Sequence, residues 1–486
     1  MSRIVVIGAG VGGLTAAARL ASAGHDVTVL ERSGSLGGKL GVFERDGFRF
    51  DTGPSLLTLP QVFTELDLDP VKLDPVVRHV FADGTVLDSS SDHEVFLTRI
   101  ADVLGRDAAG DWDRFWKRAA RIWNASWRSV LRKPVTPASL LGLTWRVGDL
   151  AAIAPGMTLR GLGYRYLRDP RLRMMLDRYA TYTGADPRRA PAAHAAVPYA
   201  ELAFGGWYLP GGLGTIATAL ADRCTAAGAR IILNAPVSAI DTADGRVCGV
   251  RVGPTTAGPS AEITGDFLPA DIVVSNVDAL TVYRDLLPSP GRLAGLTDRS
   301  LAGFVMLLGV RDATPSLAHH NVFFPSHYDA EFDAIFGSAS RRARPASDPT
   351  VFVTRAADPS VAPPGSEAWF VLVNAPPHGT GWQSTDWRRT GLAEAYGEHV
   401  LDLLARRGLD VRDRLVFTET RTPADLAAST AAPGGAIYGT AGSLMRPVNH
   451  GPVKGLYLVG GSVHPGGGLP MVTLSAQMVA GEIGSA

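Results

Sequence analysis

The opening of the chain limits its fold more than any other stretch. Residues 2–13 read SRIVVIGAGVGG, an apolar run over 4–7 that breaks at Gly8 into a glycine-rich loop and continues as a helical pattern over 14–23. Gly8, Gly10 and Gly13 match G-x-G-x-x-G. The first glycine permits a tight turn, the second lets the backbone approach a pyrophosphate, and the third lets the helix pack against the strand. The helix start adds unpaired N–H groups and a partial positive charge. A second apolar run, 26–30, ends at Glu31, about 20 residues beyond the glycines, where a carboxylate accepts from a ribose 2′-OH and repels a 2′-phosphate. A lone glycine pattern is weak. Strand, loop, helix, strand and acid in this order predict a dinucleotide site on a Rossmann-type α/β unit, against the bland alternative of a Rossmann half without its ligand.

The next residues bear on which dinucleotide. After Glu31 the chain reads RSGSLGGKL, with Gly37 and Gly38 before Lys39, and then GFRFDTGPSLLT from Gly47. This continuation resembles the flavoprotein superfamily of amine oxidases and carotenoid desaturases, in which a GG-Arg or GG-Lys stretch lies along the cofactor and a DTGP-like segment approaches the flavin. The resemblance implies FAD rather than NAD.

At 486 residues the chain exceeds one ordinary core, so intimately joined domains are expected. Lys plus Arg and Asp plus Glu are both 47, a balance that gives no reason to invoke nucleic acid. Cys224 and Cys248 are the only cysteines and have no metal or redox spacing, so neither a disulfide framework nor a metal site is expected, and a reducing cytosol fits. The first strand follows Met1 with no charged n-region or cleavage site, and the most apolar long window, 138–159, is broken by Arg146, Asp149 and Pro155. A cytoplasmic protein, soluble or peripherally attached to a membrane, is the expectation.

Further along, 81–87 reads as a hairpin around Asp83-Gly84, and 91–104 is helical by periodicity. Asp111 is placed to cap a helix that Pro134 would end. On that helix Trp112, Trp116, Trp123, Trp127 and Val130 cluster within about 60° at 100° per residue, opposite Arg114, Lys117, Arg118, Arg121, Arg128 and Arg132. Such a basic amphipathic helix has the pattern of an interfacial membrane helix, or of a surface helix that turns its tryptophans into the core. From 112 to 178 basic residues far outnumber acids, and each exposed Lys or Arg beside anionic lipid adds roughly 1 kcal/mol, so docking through 111–133 is expected.

The stretch PGGLGTIATALA from Pro210 turns at Gly211-Gly212 into a helix, and 229–233, 235–240, a hairpin around Asp244-Gly245 and 271–275 read as short strands. From 281 to about 430 strand-like runs at 304–310, 351–354 and 369–374 alternate with proline- and glycine-rich loops and one helix over 391–406. The chain closes with a buried strand over 455–461, the glycine-rich SVHPGGGLPM, and a helix from near Val472, a second helix start aimed at the cofactor.

Taken in order, GAGVGG at 8–13, LGGKL at 36–40, FDTGPS at 50–55, GGWYLPGG at 205–212, ADIVVSN at 270–276 and LYLVGGSVHPGGGLPMV at 456–472 resemble the bacterial phytoene desaturase family along the whole chain. The terminal HPGGGLP is the most specific part, with Ser462 standing where amine oxidases usually carry an acid. The resemblance implies an α/β fold, with a Rossmann-type FAD-binding domain of the glutathione-reductase-like kind interleaved with a mixed-sheet substrate domain and a helical membrane-facing part. The segments would be 1–75, 206–280 and 441–486 for FAD, 76–205 for the helical membrane-docking region, and 281–440 for the substrate domain.

The same resemblance places the cofactor against Gly8, Gly10, Gly12 and Gly13, against Glu31 and Arg32, and against Gly38, Lys39 and Leu40. It adds Gly53, Pro54 and Ser55, the backbone of Val237 at the adenine, Gly461 and Ser462, and the helix start at Gly468, Pro470, Met471 and Val472. It implies desaturation of a carotenoid or related lipophilic polyene, a hydride leaving an allylic carbon for flavin N5 and a proton leaving its neighbour, with oxygen or a quinone as final acceptor. His464, Glu201 and Tyr199 are the catalytic candidates by adjacency to the motifs; equally, His464 shapes its loop, Glu201 pairs with an arginine, and Tyr199 and Trp207 simply pack, although aromatic walls suit a flat polyene. Competing functions are a flavin amine oxidase, although no cysteine for covalent flavin follows Cys248, a polyene isomerase or saturase without net oxidation, and a lipid carrier on a flavin fold.

Overall fold

The computed structural model describes residues 1–134, 147–253, 265–441 and 446–486. Strand β1 (Arg3–Ile7), helix α1 (Val11–Ser22) and strand β2 (Asp26–Leu30) follow one another as the sequence predicts, with the helix beginning among the glycines themselves. β1 is central in a five-stranded sheet in the order Leu456–Leu458, Ile272–Ser275, β1, β2, Arg230–Ile232, and every neighbouring pair is parallel. A parallel sheet covered on both faces takes near-continuous apolar strands, and Ile4, Val5, Val6, Ile7, Val27 and Val29 are all buried. α1, Thr215–Ala226 and Leu469–Ile483 pack on one side. The other side is closed by an antiparallel three-stranded sheet, Val237–Ala243, Arg246–Val252 and Asp266–Pro269, through Ile240, Val247 and Val250.

A second, seven-stranded sheet runs in the order Leu415–Arg421, Ala302–Arg311, Ser366–Ala375, Val351–Arg355, His320–Phe323, Arg78–Val80, Val86–Asp88. Its strands are antiparallel to their neighbours except that Arg78–Val80 runs parallel to His320–Phe323. The predicted hairpin around Asp83-Gly84 is present. Its pairing attaches it to the strands after 300, although in sequence it sits beside the helices.

Helix α2 (His93–Leu104) is capped by Asp92, whose Oδ1 accepts from the N–H groups of Glu94 and Val95 at 3.0 and 3.2 Å. Helix α3 (Arg106–Ser126) corrects the expected start at Asp111: Gly105, at φ 96°, separates α2 from α3, and Asp111 lies inside the helix. The Asp111 carboxylate is 1 % exposed and accepts instead from the backbone N–H and the guanidinium of Arg168, at 3.1 and 2.9 Å. The expected membrane face of tryptophans is corrected too. Trp112 and Trp123 are buried, Trp116 and Trp127 pack half-buried against the same core, and the Trp123 ring meets Trp127, Tyr199 and Phe204. Helix α2 and the helices Leu159–Tyr166 and Ala196–Phe204 pack on α3, and burial of the large indole surfaces against them stabilises the inward placement. Among the described residues no helix is long and apolar enough to cross a membrane. The window 138–159 lies partly outside the described residues.

Candidate active site

The first glycine loop, at the start of α1, gathers stretches from both ends of the chain. The Gly8 N–H donates to the Leu30 carbonyl at 2.8 Å and the Gly37 N–H to that of Ala9 at 2.9 Å. A Cβ on Gly13 would stand 2.0 Å from the Gly8 oxygen, and one on Gly53 would stand 1.9 Å from the Lys39 oxygen. One on Gly12 would meet Asn276 at 2.7 Å, Val472 at 2.9 Å and Gly460 at 3.3 Å. GGKL thus touches both the first glycine loop and DTGPS, and the first glycine loop touches the C-terminal one, with room for hydrogen where side chains would collide.

The cradle suits an anionic dinucleotide. α1 has no side-chain cap and no acid in its first turn, so its first N–H groups have no competing acceptor of their own. Glu31, 8 % exposed, accepts from the Ala9 N–H at 2.8 Å through Oε2, and from the Ser33 N–H and hydroxyl at 2.8 and 2.9 Å through Oε1. A carboxylate has about four acceptor positions, so one is left for a ribose hydroxyl. The Ala235 N–H donates to the Glu31 carbonyl at 2.8 Å, which sets the strand that starts at Val237 beside Glu31. When bound, FAD supplies a two-electron acceptor.

The other expected residues divide. Lys39 donates to the carbonyls of Ala436 and Ile437 at 2.9 and 2.7 Å, and desolvation pushes its ammonium down to about 8. Gly38 lies against Gly10, while the Leu40 side chain is buried in the core. Ser55, next to Pro54, accepts from the Thr354 hydroxyl at 2.9 Å. Ser462 Oγ accepts from the Ala279 N–H at 3.0 Å, and Gly461 packs on Gly467. Gly468, at φ 97°, starts the helix that carries Pro470, Met471 and Val472. Arg32 turns away to donate to the Ala428 carbonyl.

No side chain of the three catalytic candidates hydrogen-bonds into this cradle, although His464 belongs to the C-terminal glycine loop. His464 is 2 % exposed with Nε2 at 3.2 and 3.0 Å from the carbonyls of Val130 and Lys133, and burial lowers its pKa. Those contacts tie the C-terminal loop to the end of the α3 region. Tyr199 packs against Trp116 with ring centroids 4.6 Å apart and planes tilted by 39°. Glu201 is buried in a different cluster, accepting from the Tyr179 hydroxyl at 2.7 Å and facing Arg178 at 3.5 Å.

Reasoning from sequence misses several residues. Asn276 inserts its amide among Gly10, Gly12 and Gly460 and donates to the Val459 carbonyl at 3.2 Å; it closes the motif ADIVVSN, and its position after a sheet strand was the available signal. Arg178, His79 and His320, 0, 0 and 6 % exposed, collect between the second sheet and the helices. No local pattern marks them.

The chain matches the family of flavin containing amine oxidoreductases over residues 11–305. It is 35 % identical to a 4,4'-diapolycopene oxygenase of Methylomonas sp, across 99 % of this chain and 98 % of that one. It is 30 % identical to a 1-hydroxycarotenoid 3,4-desaturase of Flavobacterium sp. (99 % and 98 % covered) and 33 % to a hydroxyneurosporene desaturase of Cereibacter sphaeroides (99 % and 97 %). Among solved structures, an oxidoreductase from Methanosarcina mazei aligns with a TM-score of 0.62 at 18 % identity, covering 98 % of this chain and 99 % of that one. A putrescine oxidase bound to putrescine aligns at 0.59 and 14 %, covering 99 % and 98 %; these two share the fold. The chain belongs to the flavin-containing amine oxidoreductases, as an FAD-dependent oxidoreductase similar along its whole length to carotenoid desaturases and oxygenases.

Proposed function

We propose that the protein dehydrogenates an acyclic polyene isoprenoid, removing two hydrogens for each double bond formed. The observation that carries this is full-length similarity to two polyene desaturases together with an intact nucleotide cradle. The chain's own residues bind and orient. The α1 start and Glu31 hold the dinucleotide, the DTGPS segment packs on Lys39, and the Trp116, Trp123 and Tyr199 rings form an aromatic block on the helical side. A polyene needs no ionic anchor. A second reading, oxygenation of the same class of substrate, is favoured by the oxygenase relative at 35 % identity.

Expression in a host that accumulates acyclic carotenoids, followed by pigment mass, separates the readings. Loss of hydrogen pairs supports desaturation, added oxygen supports oxygenation, and unchanged mass with altered absorption supports isomerisation. Substrate is delivered at a membrane surface in this proposal. With the tryptophans inward, the docking face is the exposed basic side of α3, where Arg114 and Lys117 are 60 and 66 % exposed. Flotation with anionic but not neutral vesicles is the expected outcome, and equal flotation with both would remove the electrostatic basis.

A further inference from the structure

The substrate-side interior holds charged and polar atoms that the nucleotide half does not explain. Arg178, fully buried on the helix Pro170–Thr181, donates from Nη1 to the Tyr182 hydroxyl at 2.7 Å. Its Nη2 stands 3.5 Å from Glu201 Oε1, and its guanidinium lies 4.5, 5.0 and 5.9 Å from the ring centroids of Tyr179, Tyr182 and Phe352. Among the described residues, Arg178 Nε and Nη2 and Glu201 Oε2 have no hydrogen-bond partner. The same is true of Nε2 on two buried histidines, His79 and His320. Buried polar atoms are ordinarily satisfied, so five unmatched atoms together point to an occupant.

The hydrogen-bonding sense of each atom can be worked out. His79 Nδ1 is 3.1 Å from the Leu87 carbonyl, which only accepts, so Nδ1 carries the hydrogen and Nε2 of the neutral ring is a bare acceptor. His320 Nδ1 is 3.1 Å from Thr354 Oγ1, whose own hydrogen goes to Ser55 Oγ at 2.9 Å, so again Nδ1 donates and Nε2 accepts. Burial and then the Arg178 charge push both imidazoles far below their ordinary range, so both are neutral. The cluster therefore offers donors on Arg178 and acceptors on Glu201, His79 and His320, with the charges of Arg178 and Glu201 opposed. A carbonyl or carboxylate would meet only the donors, and an ammonium only the acceptors. A hydroxyl, with one hydrogen and two lone pairs, meets both. Phe324 stacks on His79 and Phe352 packs beside His320, so whatever carries that hydroxyl is apolar next to it.

We propose that Arg178, Glu201, His79 and His320 form the binding site for a terminal hydroxyl of the polyene, Arg178 donating to its oxygen and Glu201 or a histidine accepting its hydrogen. This rests on the polyene reading above. The Thr354–Ser55 bond ties the site to the DTGPS segment, so the hydroxylated end is the end presented to the cofactor side.

The test gives FAD-loaded enzyme, in liposomes, hydroxyneurosporene or neurosporene, and measures kcat/KM and the partition of each pigment from vesicle to protein. A site built to hydrogen-bond a hydroxyl rejects its absence strongly, so a preference of about 100-fold or more in kcat/KM is expected, with a matching preference in partition. Glu201→Gln and His320→Phe, each checked for retained flavin, should each shrink the ratio by about tenfold. Equal kcat/KM for the two pigments overturns the site and leaves desaturation standing. No oxidation of either pigment overturns desaturation, and partition then decides alone: a hydroxyl preference lost in Glu201→Gln supports the site, and equal partition overturns it. If Glu201→Gln loses its flavin, the wild-type ratio and His320→Phe decide.

Discussion

Glu331 couples the packing of the second sheet to pH. It lies fully buried on the helix Tyr328–Phe336. Oε2 accepts from the Thr350 N–H and hydroxyl at 2.7 and 2.6 Å, and Oε1 accepts from Asn374 Nδ2 at 2.9 Å. Burial outweighs these bonds and pushes the carboxyl up to about 7 from an ordinary 4.5. Because the folded value is the higher one, the folded chain holds a proton between 4.5 and 7 that the unfolded chain has lost. Stability from this group is therefore present at low pH and is lost as pH rises through that window, by about 1.4 kcal/mol per unit and roughly 3 kcal/mol in all. Glu331→Gln keeps the shape, cannot ionise, and can accept from Thr350 while its amide meets Asn374 with that amide turned over. Urea unfolding of wild type and variant, followed by tryptophan fluorescence, gives the comparison. The variant's advantage over wild type should grow by about 2–3 kcal/mol between about pH 5 and about pH 8. A difference that stays flat across that range would refute the reasoning, because it would mean that Glu331 ionises alike in folded and unfolded chains.

Three further outcomes follow from the packing. Gly12→Val would place its side chain into Asn276, Val472 and the Gly460 backbone, so flavin-to-protein absorbance after gel filtration should fall to about a tenth of wild type or less. Trp123→Ala should cost about 3–5 kcal/mol of unfolding free energy, whereas Tyr164→Ala, at a residue 63 % exposed, should stay within about 0.5 kcal/mol, and equal effects would contradict the inward placement of the tryptophans. Arg178→Met alone should cost about 3–5 kcal/mol by leaving Glu201 buried without its cation, and Glu201→Leu added to it should recover at least about 2 kcal/mol; additive losses in that cycle would argue against the pair.

The nucleotide half was legible because its requirements are local. Gly8 needs its positive φ, Gly13 and Gly53 need the absence of a Cβ, and each sits in a fixed order of strand, turn and helix. The helix pattern over 111–133 was legible as amphipathic, but a helical wheel shows which residues share a face and not what covers it; the covering helices come from 93–104 and from 159–204. Asp111 looked like a cap for the same reason, since its partner Arg168 lies 57 residues away. Long-range pairing also hid the buried cluster around Arg178. His79 reaches it through a parallel pairing of Arg78–Val80 with His320–Phe323, and Arg178 and Glu201 arrive on separate helices. Glu201 was visible by its place beside the GGWYLPGG motif, yet its partner and its lack of contact with the nucleotide cradle were not.

The central claim is that this flavoprotein oxidises a polyene, and anaerobic mixing tests it most directly. FAD-loaded protein is combined with an acyclic hydroxylated polyene in vesicles while the visible flavin band and the pigment mass are followed. The expected result is bleaching of the flavin matched, mole for mole, by a pigment two hydrogens lighter. A flavin band that stays oxidised with every polyene, or that bleaches with an amine instead, would contradict the account.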